Sequence, residues 1–572
     1  MPKEGPVYAD KGKPYNYIVV IDAGSSGSRV HVYHYPPLEV SNTTFPQVSK
    51  SGHKWVKKIK PGISNFADHP DEVGEGHIKK LLKYAKEIVP KSQIYRTPLY
   101  LHGTAGMRLL DEKDADKILD HACDYIQKES EFLVPDCDTH LDVIDGATEG
   151  VFGWLALNYL IGGIEEPEYH HHGKNHSTYG LLEMGGASTQ VAFVPNATER
   201  EENKEKLHLV QLASVNGTRN VGYDLYSKSY LGLGIDQAML EHQKNVKDED
   251  PCIPRGYKGK KFSKREDDDD DSDDDDDDDD DEDDDEEEDE DYKKKEKGET
   301  VVGVGNATQC YDSMLPMAKR IEDKDRPDID FDVNHFVGVS EFWDTTQGFE
   351  MGGEFRYGEF KDRVDDYCSR DWKDILKHEK DFKGLDKQDL LELCFKSNYL
   401  LAIVDAYGFP FNDTVPYSET LKTRDINDYL KPLLTAEKVN GVEFSWTLGR
   451  ALLHASDEIG QARHHEAGIR PPGKDKFEYG ANEDRPPFET PSSYIVSHSN
   501  RILGAFVFVG LLLGMVLLLL RKEGRKYYWK RMVSRLPFSE GRYQHLAGND
   551  TRNFDIAEAR DDFEVSDEEE QV

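Results

Sequence analysis

Ile18 to Tyr35 reads IVVIDAGSSGSRVHVYHY: four apolar residues lead into Asp22, a loop of glycine, alanine and serine follows, and an alternating apolar run resumes. Glycines let backbone N–H groups approach an anion with no Cβ in the way, and serine hydroxyls add donors. Such a loop can hold phosphate, although an ordinary hairpin turn has the same composition. Tyr179 to Pro195, YGLLEMGGASTQVAFVP, repeats the pattern, with Glu183 ending the apolar run. Acid-x-Gly in two separate places points to two facing phosphate loops with a cleft between them. A polyphosphate arrives with a divalent cation such as Ca²⁺, Mg²⁺ or Mn²⁺. The carboxylates of Asp22 and Glu183 are hard ligands suited to that cation, often through water.

Two more stretches fit a phosphate cleft. YLHGTAGMRLL (Tyr100 to Leu110) places small residues between a strand and a helix, with Thr104 as a hydroxyl donor near the helix N-terminus. A plain strand–helix turn is the alternative. VIDGATEGVFGWLALNYL (Val143 to Leu160) presents Glu149 just before a strongly apolar helix. That carboxylate either caps the helix or, between two phosphate loops, takes a proton from water and drives hydrolysis.

The elements that must position these residues are strands and helices in alternation. Val19 to Ile21 reads as a buried strand and Val30, Val32 and Tyr33 as its partner, while Val191, Phe193 and Val194 resume the pattern after the second loop. Residues 1–16 read as a tail, 17–145 as one α/β unit completed by 438–470, and 146–437 as a second. VEFSWTLGRALLHAS (Val442 to Ser456) is an amphipathic helix near the end, and 471–501, rich in proline, glycine and charge, reads as a stalk.

The formal charge of −40 argues against nucleic acid as a partner. Much of that charge is local: Glu266 to Asp291 contains 25 acids and one serine, so −25 sits there and −15 remains elsewhere. Such a run repels itself and builds no core, so 262–298 is expected to be a solvated insertion; a calcium reservoir or partner-binding strip is the alternative. Cys252 and Cys310 flank it, and a disulfide there would close its base. Pairs of Cys123 with Cys137 and Cys368 with Cys394 would complete an even set, but spacing leaves the connectivity open, and six buried thiols are the other reading. Six N-x-[ST] sequons, at Asn42, Asn175, Asn196, Asn216, Asn306 and Asn412, fit a secretory lumen. YHHHGKNH (Tyr169 to His176) has zinc-ligand residue types, but its place between a helix and a strand reads as a surface loop.

Ile502 to Leu520, ILGAFVFVGLLLGMVLLLL, is uncharged and of bilayer-spanning length. Arg521, Lys522, Arg525, Lys526, Lys530, Arg531 and Arg535 follow it, which places 521–572 in the cytosol and the N-terminal part in a lumen. The tail opens on RKYYWKRM, suited to anionic lipid, and ends in DDFEVSDEEEQV, where Ser566 before acids resembles an acid-directed kinase site or regulatory partner's target, with a plain solvated tail as the favoured reading. MPKEGPVYADKGKPYNY has no apolar core, so the N-terminus is either translocated by way of the C-terminal span or preceded by a leader not in this chain.

IDAGSSGSR, TAGMRLL, DGATEGVFGW and GGASTQVAF, in this order and spacing, resemble the first four apyrase conserved regions of the nucleoside triphosphate diphosphohydrolase family. WTLGRAL (Trp446 to Leu452) is similar to the fifth, and KPGISNFAD and SYLGLGIDQA also have the family's look. With a C-terminal anchor and no N-terminal one, the chain is most similar to the family's fungal Golgi branch. The resemblance implies two RNase-H-like lobes, as in actin and the sugar kinases, with the cleft between them. It implies that Asp22 and Glu183 hold a divalent cation through water, and that Ser25, Ser26, Gly27, Thr104, Gly185, Gly186 and Ala187 wrap the phosphates. Glu149 would act as general base, with Ser188 and Gln190 orienting the attacking water. Phe342, Trp343 and Tyr407 would be candidates to stack on the base, or ordinary core aromatics. The implied activity is hydrolysis of nucleoside di- and triphosphates in the Golgi lumen, clearing GDP and UDP left by glycosyltransferases. A phosphotransferase of the same superfold and a non-hydrolysing nucleotide-binding scaffold are the rivals. Two positions depart from the family: Glu183 replaces its usual Asp, and Gly103 stands where a larger small residue is common.

Overall fold

The structure is a computed structural model that describes residues 3–488, apart from 42, 50–54, 165–177, 216–219, 262–299, 323–325, 332, 383, 412–432 and 482–484. The span 502–520, the tail 521–572, most of the stalk, the acidic insertion, the stretch 169–176 and the sequons at Asn42, Asn175, Asn216 and Asn412 lie outside the described residues. Among the described residues no helix is long and apolar enough to cross a membrane.

Two sheets organise the chain. The first has β1 (Asn16–Ala23), β2 (Ser28–Tyr35), β3 (Val56–Ile59), β4 (Leu99–Gly103) and β5 (Leu141–Val143) in the order β3-β2-β1-β4-β5. The second contains β6 (Gly180–Met184), β7 (Ser188–Phe193), β8 (His208–Leu212), β9 (Val221–Leu231), β10 (Phe336–Ser340), β11 (Leu433–Thr435) and β12 (Gly468–Arg470), with a short edge at Gly353–Glu354. Its core order, β9-β7-β6-β10-β11, repeats the first sheet's. In both, the first three strands in chain order are antiparallel neighbours and the next two add in parallel. This duplicated 3-2-1-4-5 order is the RNase-H-like arrangement expected of two lobes.

β1 is buried at every position, so both faces of the first sheet must be covered. One face carries helices Lys79–Ile88 and Glu112–Glu129, whose buried residues recur at three- and four-residue spacing. The other meets two central helices. α1 (Gly146–Ile161) packs on β6, β7 and β9, and α2 (Thr447–Arg463) packs on β1 and β2 while crossing α1. Ile18, Val20, Phe152, Leu155, Leu181, Ala192, Leu448 and Leu452 therefore share one core between the sheets. At the crossing a Cβ on Gly449 would sit 1.9 Å from the Phe152 carbonyl oxygen, so only glycine permits this approach. All six cysteines pair, Cys123–Cys137, Cys252–Cys310 and Cys368–Cys394. The Cys252–Cys310 bridge lies beside strands Lys258–Lys260 and Thr300–Gly303, which pair antiparallel across the two ends of segment 262–299.

Three boundaries differ from the expectation. Residues before 16 are not a free tail: the Gly5 N–H donates to the Ile88 carbonyl (2.6 Å). β12 pairs with β8, so residues 468–470 extend the second sheet and do not complete the first unit. The beginning of the expected stalk is held against the body. Arg450, fully buried and 3.8 Å over the Tyr100 ring, donates to the Tyr479 carbonyl (3.1 Å). Arg485 Nε donates to Glu458 Oε1 (2.6 Å), and its Nη atoms donate to Tyr35 Oη (2.8 Å) and the Tyr17 carbonyl (3.0 Å). Proline and glycine rule out a helix or strand there, but buried arginines capture the backbone instead.

Burial raises the Glu458 carboxyl, yet Arg485 and His454 outweigh it and hold the group well below the usual carboxylate range. A depressed carboxyl contributes stability above its unfolded pKa and loses it as pH falls. Arg485→Met should therefore cost about 3–5 kcal/mol at pH 7, because it strands a buried charge. The gap to the unmodified chain should narrow as pH drops through about 4. Urea denaturation of both proteins at pH 7 and pH 4 measures this.

Candidate active site

The two acid loops are built alike. Ala23 pairs with Ser28 and Met184 with Thr189, so each hairpin encloses four residues, 24–27 and 185–188. Each is closed by its first glycine: Gly24 N–H donates to Gly27 O (3.2 Å) and Gly185 N–H to Ser188 O (3.0 Å). Asp22 and Glu183 stand at equivalent positions, two residues before those glycines. The loops face each other across the lobes, since a Cβ on Gly186 would lie 3.4 Å from Ser25 Oγ. Thr104, buried, anchors its loop by donating its N–H to Ala23 O (3.2 Å), and Gly106 passes so close that a Cβ there would strike Ser25 Cα at 2.7 Å. Gly103 is confined as well, because a Cβ there would press Met107 Cγ at 2.9 Å.

Glu149 reaches this junction from α1. Asp145 caps the helix, accepting from Ala147 N–H (2.9 Å) and Thr148 N–H (3.0 Å), which leaves Glu149 out of the capping role. Arg108 Nη2 donates to Glu149 Oε2 (2.9 Å) and lies 3.4 Å from Ser188 Oγ, while Arg108 Nη1 donates to Ile144 O (2.9 Å). Gln190 Nε2 donates to Ser188 Oγ (2.9 Å). Ser25, Asp22 and Thr104 from the first sheet thus meet Glu183, Gly186, Ser188 and Gln190 from the second, with Glu149 entering from α1 between the sheets. Arg108 was not among the expected residues; the signal was a lone basic side chain closing TAGMR, directly after the small-residue loop.

Three carboxylates share the site, Asp22 and Glu149 buried and Glu183 half-buried. Burial pushes Asp22 up to about 7, with Arg29 opposing and Glu149 adding to the rise. Burial, then the charges of Glu149 and Asp22, raises Glu183 well above the carboxylate range. Burial raises Glu149 too, against Arg108 and Gln190. Asp22 Oδ1 and Glu183 Oε2 are buried with no protein hydrogen-bond partner. Orphaned, mutually repelling carboxylate oxygens beside two anion-binding loops fit a divalent cation held by Asp22 and Glu183. A second group of ligand-type residues, His242, Asp250 and Cys252, does not, because its sulfur is in a disulfide.

The aromatic candidates need correction. Phe342 and Tyr407 lie in the core of the second lobe, Trp343 is equally enclosed, and none exposes more than 4% of its surface. A base cannot stack on a face already covered by packing, and core filling is what the apolar burial of these rings produces. The expected role of Glu149 as base makes Arg108→Met informative. Losing the guanidinium should lower kcat/KM about a hundredfold and move the acid limb of the pH–rate profile up by about one unit, read from initial rates at pH 5–9.

Residues 10–466 match the model of the GDA1/CD39 (nucleoside phosphatase) family. The Golgi apyrase of Schizosaccharomyces pombe is 33% identical over 77% of this chain and 76% of its own length. That of Saccharomyces cerevisiae is 33% identical over 77% and 70%, and human ectonucleoside triphosphate diphosphohydrolase 4 is 30% identical over 76% and 72%. A nucleoside triphosphate hydrolase from Neospora caninum has a solved structure that superposes with a TM-score of 0.44 at 13% identity, over 77% of this chain and 92% of that one.

Proposed function

The chain belongs to the GDA1/CD39 nucleoside phosphatase family, and from that premise we propose that it hydrolyses nucleoside di- and triphosphates to monophosphates and phosphate. The observation that carries this reading is the meeting of Asp22, Glu149, Glu183, Ser188 and Gln190 between two matched phosphate loops. The backbone N–H groups of 25–27 and 186–188, beyond the two that close the loops, hold the terminal phosphate, with Thr104 closing a third side. Water sits against Ser188 and Gln190, and Glu149 takes its proton as the oxygen attacks phosphorus in line. Arg108 aims the Glu149 carboxylate and opposes the rise that burial imposes on it. Asp22 and Glu183 would hold a divalent cation, which when bound would neutralise the phosphate charge.

The setting we infer is the Golgi membrane. The names of the fungal relatives support the compartment, and the apolar run 502–520 followed by basic residues supports a single span with a luminal catalytic part and a cytosolic tail. Three disulfides suit an oxidising lumen. There the enzyme would remove GDP and UDP left by glycosyl transfer and so support glycosylation.

The test is phosphate release by the full-length chain from GDP, UDP, ADP, ATP and GTP, each with Ca²⁺, Mg²⁺, Mn²⁺ or excess chelator. Release from di- and triphosphates should be abolished by chelator and reduced about 10²–10⁴-fold in Glu149→Gln. Tight nucleotide binding with no release would replace this reading with that of a non-hydrolysing scaffold.

A further inference from the structure

A nucleotide polyphosphate approaching the floor of this site meets three carboxylates, and Arg108 is already committed to one of them. Two other cations stand beside the first phosphate loop. Lys58, Arg29 and Asp22 are direct cross-strand partners over β3, β2 and β1, so their side chains leave the same face of the sheet. Arg29 Nη1 lies 3.8 Å from Asp22 Oδ2, with its side chain 42% exposed. Lys58 is exposed, and its Cε lies 3.2 Å from where a Cβ on Gly27 would be, so its ammonium end overhangs the loop. Both charges act on the Asp22 carboxylate.

The strand order gives this row a direction. β2 and β3 lie on one side of β1; β4 and β5 lie on the other, and the segments after them carry Arg108 and Glu149. At about 4.8 Å per strand, the row reaches roughly 10 Å from Asp22 toward the sheet edge, away from Glu149. In-line displacement puts nucleophile and leaving group on opposite sides of phosphorus. With Glu149 marking the water side, we propose that Arg29 and Lys58 form the subsite for the leaving-group phosphate, the one bridged to the phosphate under attack. The inference rests on the phosphohydrolase reading above.

In the step, the water oxygen bonds to phosphorus, its proton passes to Glu149, and the bond from phosphorus to the bridging oxygen breaks. The electron pair stays on the bridging oxygen of the leaving phosphate, where Arg29 and Lys58 receive the charge. A nucleoside monophosphate cannot fill the loops and this subsite together, which gives the reaction its end at the monophosphate.

Competitive inhibition of the full-length enzyme by imidodiphosphate and by orthophosphate, at saturating divalent cation, tests the assignment. In Lys58→Met, and more in Arg29→Gln combined with Lys58→Met, the inhibition constant of imidodiphosphate should rise about tenfold or more, because charge-assisted contacts are lost. That of orthophosphate, which needs only the loops, should move less than about twofold. Lys58→Arg should keep the unmodified values. Equal weakening of both inhibitors, or of neither, overturns the subsite. Lys58 is exposed on an edge strand, so its single variant folds even if the double one does not. Should the unmodified chain release no phosphate, the functional reading fails separately, and calorimetric binding of imidodiphosphate against orthophosphate still decides the subsite by the same contrast.

Discussion

The fold is organised around a repulsion. Asp22, Glu149 and Glu183 are carried by three different elements to one buried point, where they cannot all be ionised without a counter-charge. Such a cluster lowers stability, so the surrounding structure must hold it in place by other means. It does so by close backbone packing: Gly106 against Ser25, Gly449 against Phe152, and helices α1 and α2 wedged between two sheets. The same crowding leaves Asp22 Oδ1 and Glu183 Oε2 without protein partners, which is the condition under which a cation binds well.

The parts of the site that could be read along the chain are those made locally. An apolar strand, an acid and a small-residue loop form within about ten residues, and the matching registers of the two hairpins, Ala23 with Ser28 and Met184 with Thr189, follow from that short-range pattern. The doubling of the loop was legible for the same reason, whereas the strand order around each loop was implied only by the family resemblance and is seen in the sheets themselves. From its own residues Glu149 was readable only as a choice between cap and base, and Asp145 occupying the cap removes the first of these.

What stayed hidden depends on partners far apart in the chain. Arg108 meets Glu149 and Ser188 across gaps that no local pattern marks. Phe342 and Tyr407 look the same in sequence whether they face a ligand or a core; only the packing of the second lobe decides. The segment after β12 reads as a stalk because proline and glycine are abundant, yet Arg450, Asp457 and Arg485 bind its backbone or anchor it to the body. Side-chain capture of an irregular segment leaves no periodicity to detect. Glu183 raised a different difficulty, a longer acid in a loop that usually has a shorter one, and Gly153 beside its Oε2 leaves the space for it.

The Cys252–Cys310 bridge carries a consequence of another kind. Lys260 and Thr300 are cross-strand partners, so the intervening chain leaves and re-enters the protein at one point already locked by a disulfide. Closing any stretch of chain between two such fixed ends costs entropy that grows only with the logarithm of its length. Replication slippage in a run of repeated acidic codons would therefore make a small, slowly growing demand on the ends that hold it. Among related genomes, this is where chain length should drift most while the two cysteines and the paired strands stay put.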